Sequence, residues 1–207
     1  MCRVTPRRFW CSMSSVAASF QAWQGFNQEA LVPADKKKAL LPVPPFAVIA
    51  WRETVRESDV EAVHTLVAEA GVFSTDEVSI AVELVQEKLL RGVESGYHFL
   101  FAEHGGRPVG YTCYGPIPGT ENRFDLYWIV VHPKHRLSGL GRELLRRTET
   151  LVADLGGQRL YAETSTSDRY QAARYFYRSL GFRKVAILPH YYREGDGKAV
   201  FEKPIGR

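Results

Sequence analysis

Ile129-Val130-Val131-His132-Pro133-Lys134-His135-Arg136-Leu137-Ser138-Gly139-Leu140-Gly141-Arg142-Glu143-Leu144-Leu145 is the stretch on which the fold turns. It opens as a run of strand formers, breaks at Pro133, passes two glycines and resumes with helical periodicity. Leu140, Leu144, Leu145, Thr148, Leu151, Val152 and Leu155 share one helical face, so the helix is predicted to run to about residue 155. A strand, a glycine turn and a helix N-terminus together make an anion site. The first-turn N–H groups have no partner inside the helix, and the helix dipole adds positive potential. Gly139 and Gly141 let a bulky anion approach the backbone, and Arg136 and Arg142 can add charge. The same glycines also suit a plain tight connection, and the spacing alone leaves both readings open.

Upstream, Val48 to Val55 reads as a first strand. Ser58 and Glu61 have the spacing of a capping box for a helix ending before Gly71. A second helix is predicted over about 76–91, capped by Ser74 or Thr75, with Val78, Val82, Val85 and Leu89 on one face. Tyr97–Glu103 and Pro108–Tyr114 read as a hairpin around His104-Gly105-Gly106-Arg107, and Phe124–Val131 as a strong strand. Downstream come a strand over Arg159–Thr164, a helix over about 168–179 closed by Gly181, and strands over Phe182–Leu188 and Lys198–Lys203. The order β-α-α-β-β-β-α-β-α-β-β describes one mixed α/β domain over residues 46–207.

Residues 1–45 read differently. They carry Arg3, Arg7, Arg8 and Lys36 to Lys38 against Glu29 and Asp35, and four prolines fall between residues 33 and 45. They are expected to form a flexible N-terminal extension and Pro/Lys linker. A transit peptide and an over-extended start, with Met13 as the alternative, both fit the composition. The whole chain has a formal charge of +4, but residues 46–207 hold 21 basic and 21 acidic residues. The folded part thus lacks the electrostatic footprint of a nucleic-acid binder. Cys2, Cys11 and Cys113 have neither disulfide nor metal-ligand spacing, and no run reaches transmembrane length. The expectations are no nucleic acid, no membrane and no metal, a cytoplasmic location (an organelle if the leader is a transit peptide), and a monomer or homodimer.

Two motifs carry a family resemblance over about residues 46–205. Val131-His132-Pro133 followed by Arg136-x-x-Gly139-x-Gly141 resembles the pyrophosphate turn of the GNAT superfamily of N-acetyltransferases. Ala173-Arg174-Tyr175-Phe176-Tyr177-Arg178-Ser179-Leu180-Gly181-Phe182 resembles that family's late helix, which ends in a tyrosine and Leu-Gly-Phe. The resemblance implies the GNAT fold, with helices on both faces of one mixed sheet, and acetyl-CoA as co-substrate. It implies that backbone N–H groups of Leu137, Ser138, Gly139, Leu140, Gly141 and Arg142 cradle the pyrophosphate, beside Arg136. It also implies that the strand before the turn splays from its neighbour, so that Ile129, Val130 and Val131 offer backbone to the pantetheine arm. Two positions depart from the usual pattern. Leu137 and Ser138 stand where many members have glycine and a basic residue, and Tyr170 stands where many have asparagine.

Acetyl transfer from a thioester to an amine needs a proton acceptor for the amine, a donor for the oxyanion and a proton for the departing thiolate. By the resemblance, Tyr177 is the general acid and a backbone N–H near Val131 the oxyanion donor. Asp125, eight residues before Pro133, is the leading base, with Glu163 on the next strand its rival and ordered water a third route. Tyr127, Trp128, Tyr111, Tyr114 and the Pro116–Pro118 loop could shape the acceptor pocket, and Tyr191 and Tyr192 could close over it. The acceptor is expected to be an amine on a small molecule or a protein. An acyl-CoA-binding domain without turnover is the alternative. A nucleotide phosphotransferase is disfavoured, because the turn lacks the Gly-Lys-Ser/Thr ending that places a lysine and a magnesium ligand.

Overall fold

The strand, turn and helix of residues 129–145 form in that order, and one sheet is built around them. The computed structural model describes residues 49–206, so the extension and linker expected over residues 1–45 lie outside the described residues. The strands are β1 (Ala50–Arg52), β2 (His98–His104), β3 (Arg107–Pro116), β4 (Arg123–Val131), β5 (Arg159–Ser165), β6 (Arg183–Arg193) and β7 (Asp196–Pro204). The helices are α1 (Asp59–Glu69), α2 (Thr75–Arg91), α3 (Leu140–Asp154) and α4 (Gln171–Ser179). The sheet order is β1-β2-β3-β4-β5-β7-β6, with β4 and β5 parallel and the other pairs antiparallel. None of the described helices is long and apolar enough to cross a membrane.

The helices cover both faces, as the resemblance implies. Val63, Val67 and Val85 of α1 and α2 pack on Phe99, Phe101, Tyr111 and Val130. On the other face, Leu145 and Val152 of α3 and Tyr177 of α4 pack on Phe124, Leu126, Leu160 and Phe201. Phe124, Leu126 and Val130 share parity, and a regular strand would send all three to one face. They divide between the two cores because β4 carries one extra residue. Cys113 lies opposite Trp128 and Tyr114 opposite Leu126, which leaves Tyr127 without a partner on β3. This β-bulge bends the strand and swaps its faces.

The bulge coincides with a parting of the sheet. β4 and β5 are paired from Arg123 and Arg159 only as far as Leu126 and Ala162. Beyond them β4 stays on β3 to Val131, while β5 stays on β7 to Ser165. The two strands therefore diverge into a V that opens toward the turn at 132–139.

Several boundaries differ from the expected ones for local reasons. β1 is only three residues long. The capping box expected at Ser58 does not form, because Ser58 is itself helical, with φ −62° and ψ −16°. Asp59 takes over the role, accepting a hydrogen bond from the Arg56 N–H at 2.7 Å and pairing through both carboxylate oxygens with the Arg52 guanidinium at 2.8 Å. At α2, Ser74 and Glu77 form the reciprocal box instead. β6 runs five residues past the expected Leu188. It is an edge strand exposed on nearly its whole length, so no apolar alternation marks its end.

Among the described residues, one side-chain group is both sealed from solvent and without a hydrogen-bond partner: the Tyr111 hydroxyl, whose ring packs against Phe99 and Phe101. An orphaned buried donor costs about 1–3 kcal/mol. Tyr111→Phe is therefore expected to raise stability by about 1 kcal/mol, read as a higher denaturation midpoint with an unchanged m-value.

Candidate active site

The turn at 132–139 is held by its own side chains. His132 accepts the Lys134 N–H on Nδ1 at 3.2 Å, and its Nε2–H then donates to Glu69 at 2.8 Å. Arg136 donates to the Ala70 carbonyl at 2.8 Å, which ties the turn to the end of α1. Ser138 Oγ donates to the His135 carbonyl at 2.7 Å and lies 3.4 Å from the Leu140 nitrogen. Helix α3 then starts from Gly139 with no side-chain cap. The N–H groups of Gly141 and Arg142 point out of its first turn and have no partner among the described residues.

The two glycines have different reasons to be there. Gly139 has φ +88° and open space where a Cβ would sit, so its backbone conformation is what excludes a side chain. At Gly141 the constraint is proximity: a Cβ would lie 3.3 Å from the Phe176 ring and 3.7 Å from Val131 Cγ2. The start of α3, the end of β4 and helix α4 thus converge at Gly141. Leu137 sits in the left-handed region at φ +60° with its side chain fully exposed. That conformation costs a non-glycine residue about 1–2 kcal/mol. Leu137→Gly is expected to raise stability by about 0.5–1 kcal/mol, the remainder going to the freer unfolded chain. A thermal melt checks it.

Backbone groups along the open edge of β4 follow from the ladder. His132 N–H donates to Val109 O at 2.9 Å. Antiparallel alternation then turns Val130 toward β3 and leaves the N–H and C=O groups of Ile129 and Val131 facing the gap beside β5. Of the three residues expected to offer backbone, Ile129 and Val131 do so. Val130 spends its backbone on β3 and buries its side chain against α1 and α2.

Tyr177 lies on the α3/α4 side of the sheet, its ring packed among Phe176, Phe182 and Phe201 at centroid distances of 5.4–5.7 Å. Burial raises the phenol above its ordinary range, and the hydroxyl makes no hydrogen bond among the described residues. Asp125 faces the opposite side. It precedes the bulge by two residues and lines a cleft of about 300 Å³ with Ile117, Arg123, Tyr161 and Glu163. Asp125 and Glu163 therefore share a face and a cleft. Burial, reinforced by the negative charge of Glu163 and opposed by the positive charge of Lys198, pushes the Asp125 carboxyl up to about 6. Glu163 is held differently, in an ion pair with Lys198 Nζ at 2.6 Å.

Tyr170 stands at the start of α4. Its hydroxyl donates to Glu77 Oε1 at 2.7 Å, joining the start of α4 to the start of α2. Its ring lies 6.3 Å from Phe73, which meets Trp128 edge-on at 5.1 Å. Tyr191 lies over Lys198 at 3.9 Å, and Tyr192 is half-buried with its phenol raised by burial and by the charge of Glu163. Tyr111 and Tyr114 are core residues, whereas Tyr127 and Trp128 are only partly buried. Among the described residues no group of three or more His, Cys, Asp or Glu is placed to hold a metal.

Lys198 and Glu77 were not anticipated. Glu77 was legible, since Ser74-x-x-Glu77 is a capping-box spacing. Lys198 was not, because its pairing with Glu163 depends on β5 lying beside β7, a contact between strands far apart in the chain.

Comparison with known proteins bears on this geometry. Residues 61–182 match the family model of the acetyltransferase (GNAT) family. The chain is 36% identical over 103 residues to the N-alpha-acetyltransferase RimI of Mycobacterium tuberculosis, covering 49% of this chain and 62% of that protein. Several other curated relatives are matched over 34% of their length or less. A solved structure from Desulfovibrio desulfuricans, assigned to the GNAT family of acetyltransferases, is 41% identical with a TM-score of 0.74, covering 77% of this chain and all of that one. A structure from Salmonella typhimurium, solved with its cofactor acetyl-CoA, shares the fold at 20% identity and a TM-score of 0.60, over 77% of this chain and 95% of that one. The V between β4 and β5, the uncapped start of α3 and the family match over more than half the sequence converge on one assignment: the chain belongs to the acetyltransferase (GNAT) family.

Proposed function

We propose that the protein is an acetyl-CoA-dependent N-acetyltransferase that acetylates a primary amine by direct attack. The observation that carries this reading is the parting of β4 and β5 at the Tyr127 bulge, with the open N-terminus of α3 at the mouth of the V. Acetyl-CoA fits that geometry as a substrate. Its pyrophosphate suits the N–H groups of Gly141 and Arg142, and its pantetheine amides suit the facing backbone of Ile129 and Val131. The acetyl-CoA-bound neighbour of the same fold supports this placement.

The V is also where groups on opposite faces of the sheet can meet. Asp125 approaches from the cleft face and Tyr177 from the helical face. Asp125 takes one proton from the acceptor ammonium. The neutral amine then attacks the thioester carbonyl, forming the C–N bond, while the Val131 N–H donates to the oxyanion. As the C–S bond breaks, Tyr177 donates a hydrogen bond to the departing thiolate, and the second nitrogen proton ends on the sulfur. The balance is one amide, one coenzyme A thiol and one proton released. Glu163 is less available to the amine, because one of its carboxylate oxygens is already engaged by Lys198 Nζ at 2.6 Å.

The acceptor is an amine on a small molecule or a protein, in keeping with the N-alpha-acetyltransferase and amino-acid acetyltransferase named among the relatives. The test is release of coenzyme A thiol from acetyl-CoA across a panel of amino acids, peptide N-termini and polyamines, alongside calorimetry with coenzyme A. Turnover with at least one amine is expected. Micromolar binding with no turnover across the panel would replace this reading with the binding-module one. Failure to bind coenzyme A at millimolar concentration would reject both.

A further inference from the structure

The buried ammonium of Lys198 has no part in the steps above, yet it is bonded to Glu163, which lines the Asp125 cleft. It sits on β7, in register with Ser165 of β5, and its side chain is 8% exposed. Nζ lies 2.6 Å from Glu163 Oε2 and 3.9 Å from the centre of the Tyr191 ring. A lysine is rarely buried unless paired, and this one is held by a carboxylate on one side and an aromatic face on the other. Glu163 is 37% exposed and shares its cleft with Asp125. Left alone, two carboxylates in one cleft repel, and one of them takes up a proton.

We propose that Lys198 is a positioning residue: by clamping Glu163 in an ion pair, it keeps Asp125 as the group in the cleft that is free to accept a proton. The inference rests on the reading of Asp125 as base. Lys198 divides the labour between two otherwise similar carboxylates. One is neutralised and fixed, and the other is left without a cation of its own.

The groups around Asp125 agree with this. On β4, Arg123 lines the same cleft, but its guanidinium donates to the carbonyls of Glu121 and Asn122 and lies 3.3 Å from Gln158 Oε1. On β3, its register partner is Gly115, which brings no charge. Thr120 of the preceding loop and Tyr161 of β5 line the cleft as neutral groups, and Val200 of β7 is apolar. Glu163 and Lys198 are then the charges that act on Asp125, with opposite signs.

That opposition supplies the test. The side-chain carboxyl of Asp125 can be titrated by carbon-13 NMR in the full-length protein without any substrate, its resonance assigned by its loss in Asp125→Asn. The expected midpoint in the wild type is about 6. Lys198→Met should move it up by about one pH unit, and Glu163→Gln should move it down by a similar amount. Lys198→Arg should restore the wild-type midpoint. A purely structural lysine would not produce shifts of opposite sign. If Lys198→Met fails to fold, Glu163→Gln still decides, because it leaves the lysine in place. An Asp125 midpoint that stays put in Glu163→Gln or in a folded Lys198→Met overturns the inference. The base reading is tested separately. Asp125→Asn that keeps full acetyl transfer refutes Asp125 as base, and Lys198 as its positioning residue with it, whatever the titration shows.

Discussion

Asp125→Asn is expected to lower acetyl transfer by about two orders of magnitude and, at the same time, to make the protein more stable at neutral pH. Both effects follow from one half-buried carboxyl pushed up to about 6 by its surroundings. As a base, Asp125 works only when ionised, so the wild-type rate should fall as pH drops through about 6, and the variant should lose that limb. Stability runs the other way. A carboxyl whose folded pKa exceeds its unfolded one binds extra protons in the native state between about pH 4 and pH 6. Native stability therefore rises as pH falls through that window, and at pH 7 the ionised group is a burden. Asparagine removes the burden, and a gain of about 1–2 kcal/mol is expected at pH 7 that vanishes near pH 4. Paired rate profiles and melting curves at both pH values check it. A variant that is less stable at pH 7 would show that Asp125 is a structural carboxylate.

Tyr177→Phe is expected to lower kcat by about 10–100-fold with little change in KM. Burial raises the phenol, so Tyr177 stays protonated throughout the neutral range and serves as a donor to the leaving sulfur. Outright proton transfer from a phenol to a thiolate of ordinary basicity runs uphill by at least about 1.5 pKa units. The benefit is therefore mainly a hydrogen bond to a charged atom formed as the C–S bond lengthens, about 1.5–3 kcal/mol. Because that bond is absent in the ground state, the loss should appear in kcat. The hydroxyl has no partner among the described residues and, unlike that of Tyr111, is not sealed from solvent, so phenylalanine should leave the folded protein about as stable as before. Pre-steady-state release of coenzyme A thiol distinguishes the chemical step from product release. An unchanged chemical step would remove Tyr177 from the mechanism.

Local periodicity made most of the fold readable. The face of α3, the hairpin at Gly105-Gly106 and the turn through Gly139 depend on residues close together in sequence, whereas α2 buries Ala81 and Leu84 beside Val78 and Val85 and leaves the expected Leu89 exposed. Exceptions arose where one residue upset a count or where distant strands met. The extra residue at Tyr127 makes β4 change faces midway, and nothing in Phe124–Val131 as a string of apolar residues distinguishes the bulged residue from its neighbours. Ser58 has the right neighbours for a cap, but Asp59, one position on, binds Arg52 from another element and displaces it. Asp125 and Glu163 were candidates by type and strand. Which of them carries the neutralising partner depended on β7 lying beside β5. The bond from Tyr170 to Glu77 joins two helices distant in the chain, so local sequence could not show it.

The bulge at Tyr127 also gives the molecule a mechanical character. The sheet is in effect two ribbons, β1 to β4 and β5 to β6, riveted along Arg123 to Leu126 and free of each other beyond. A pantetheine arm bonded to Ile129 and Val131 would act as a removable strand, wedged into the seam beyond that rivet. The substrate would then be part of the scaffold for as long as it is bound, and departure of the thiol would release the brace along with the product.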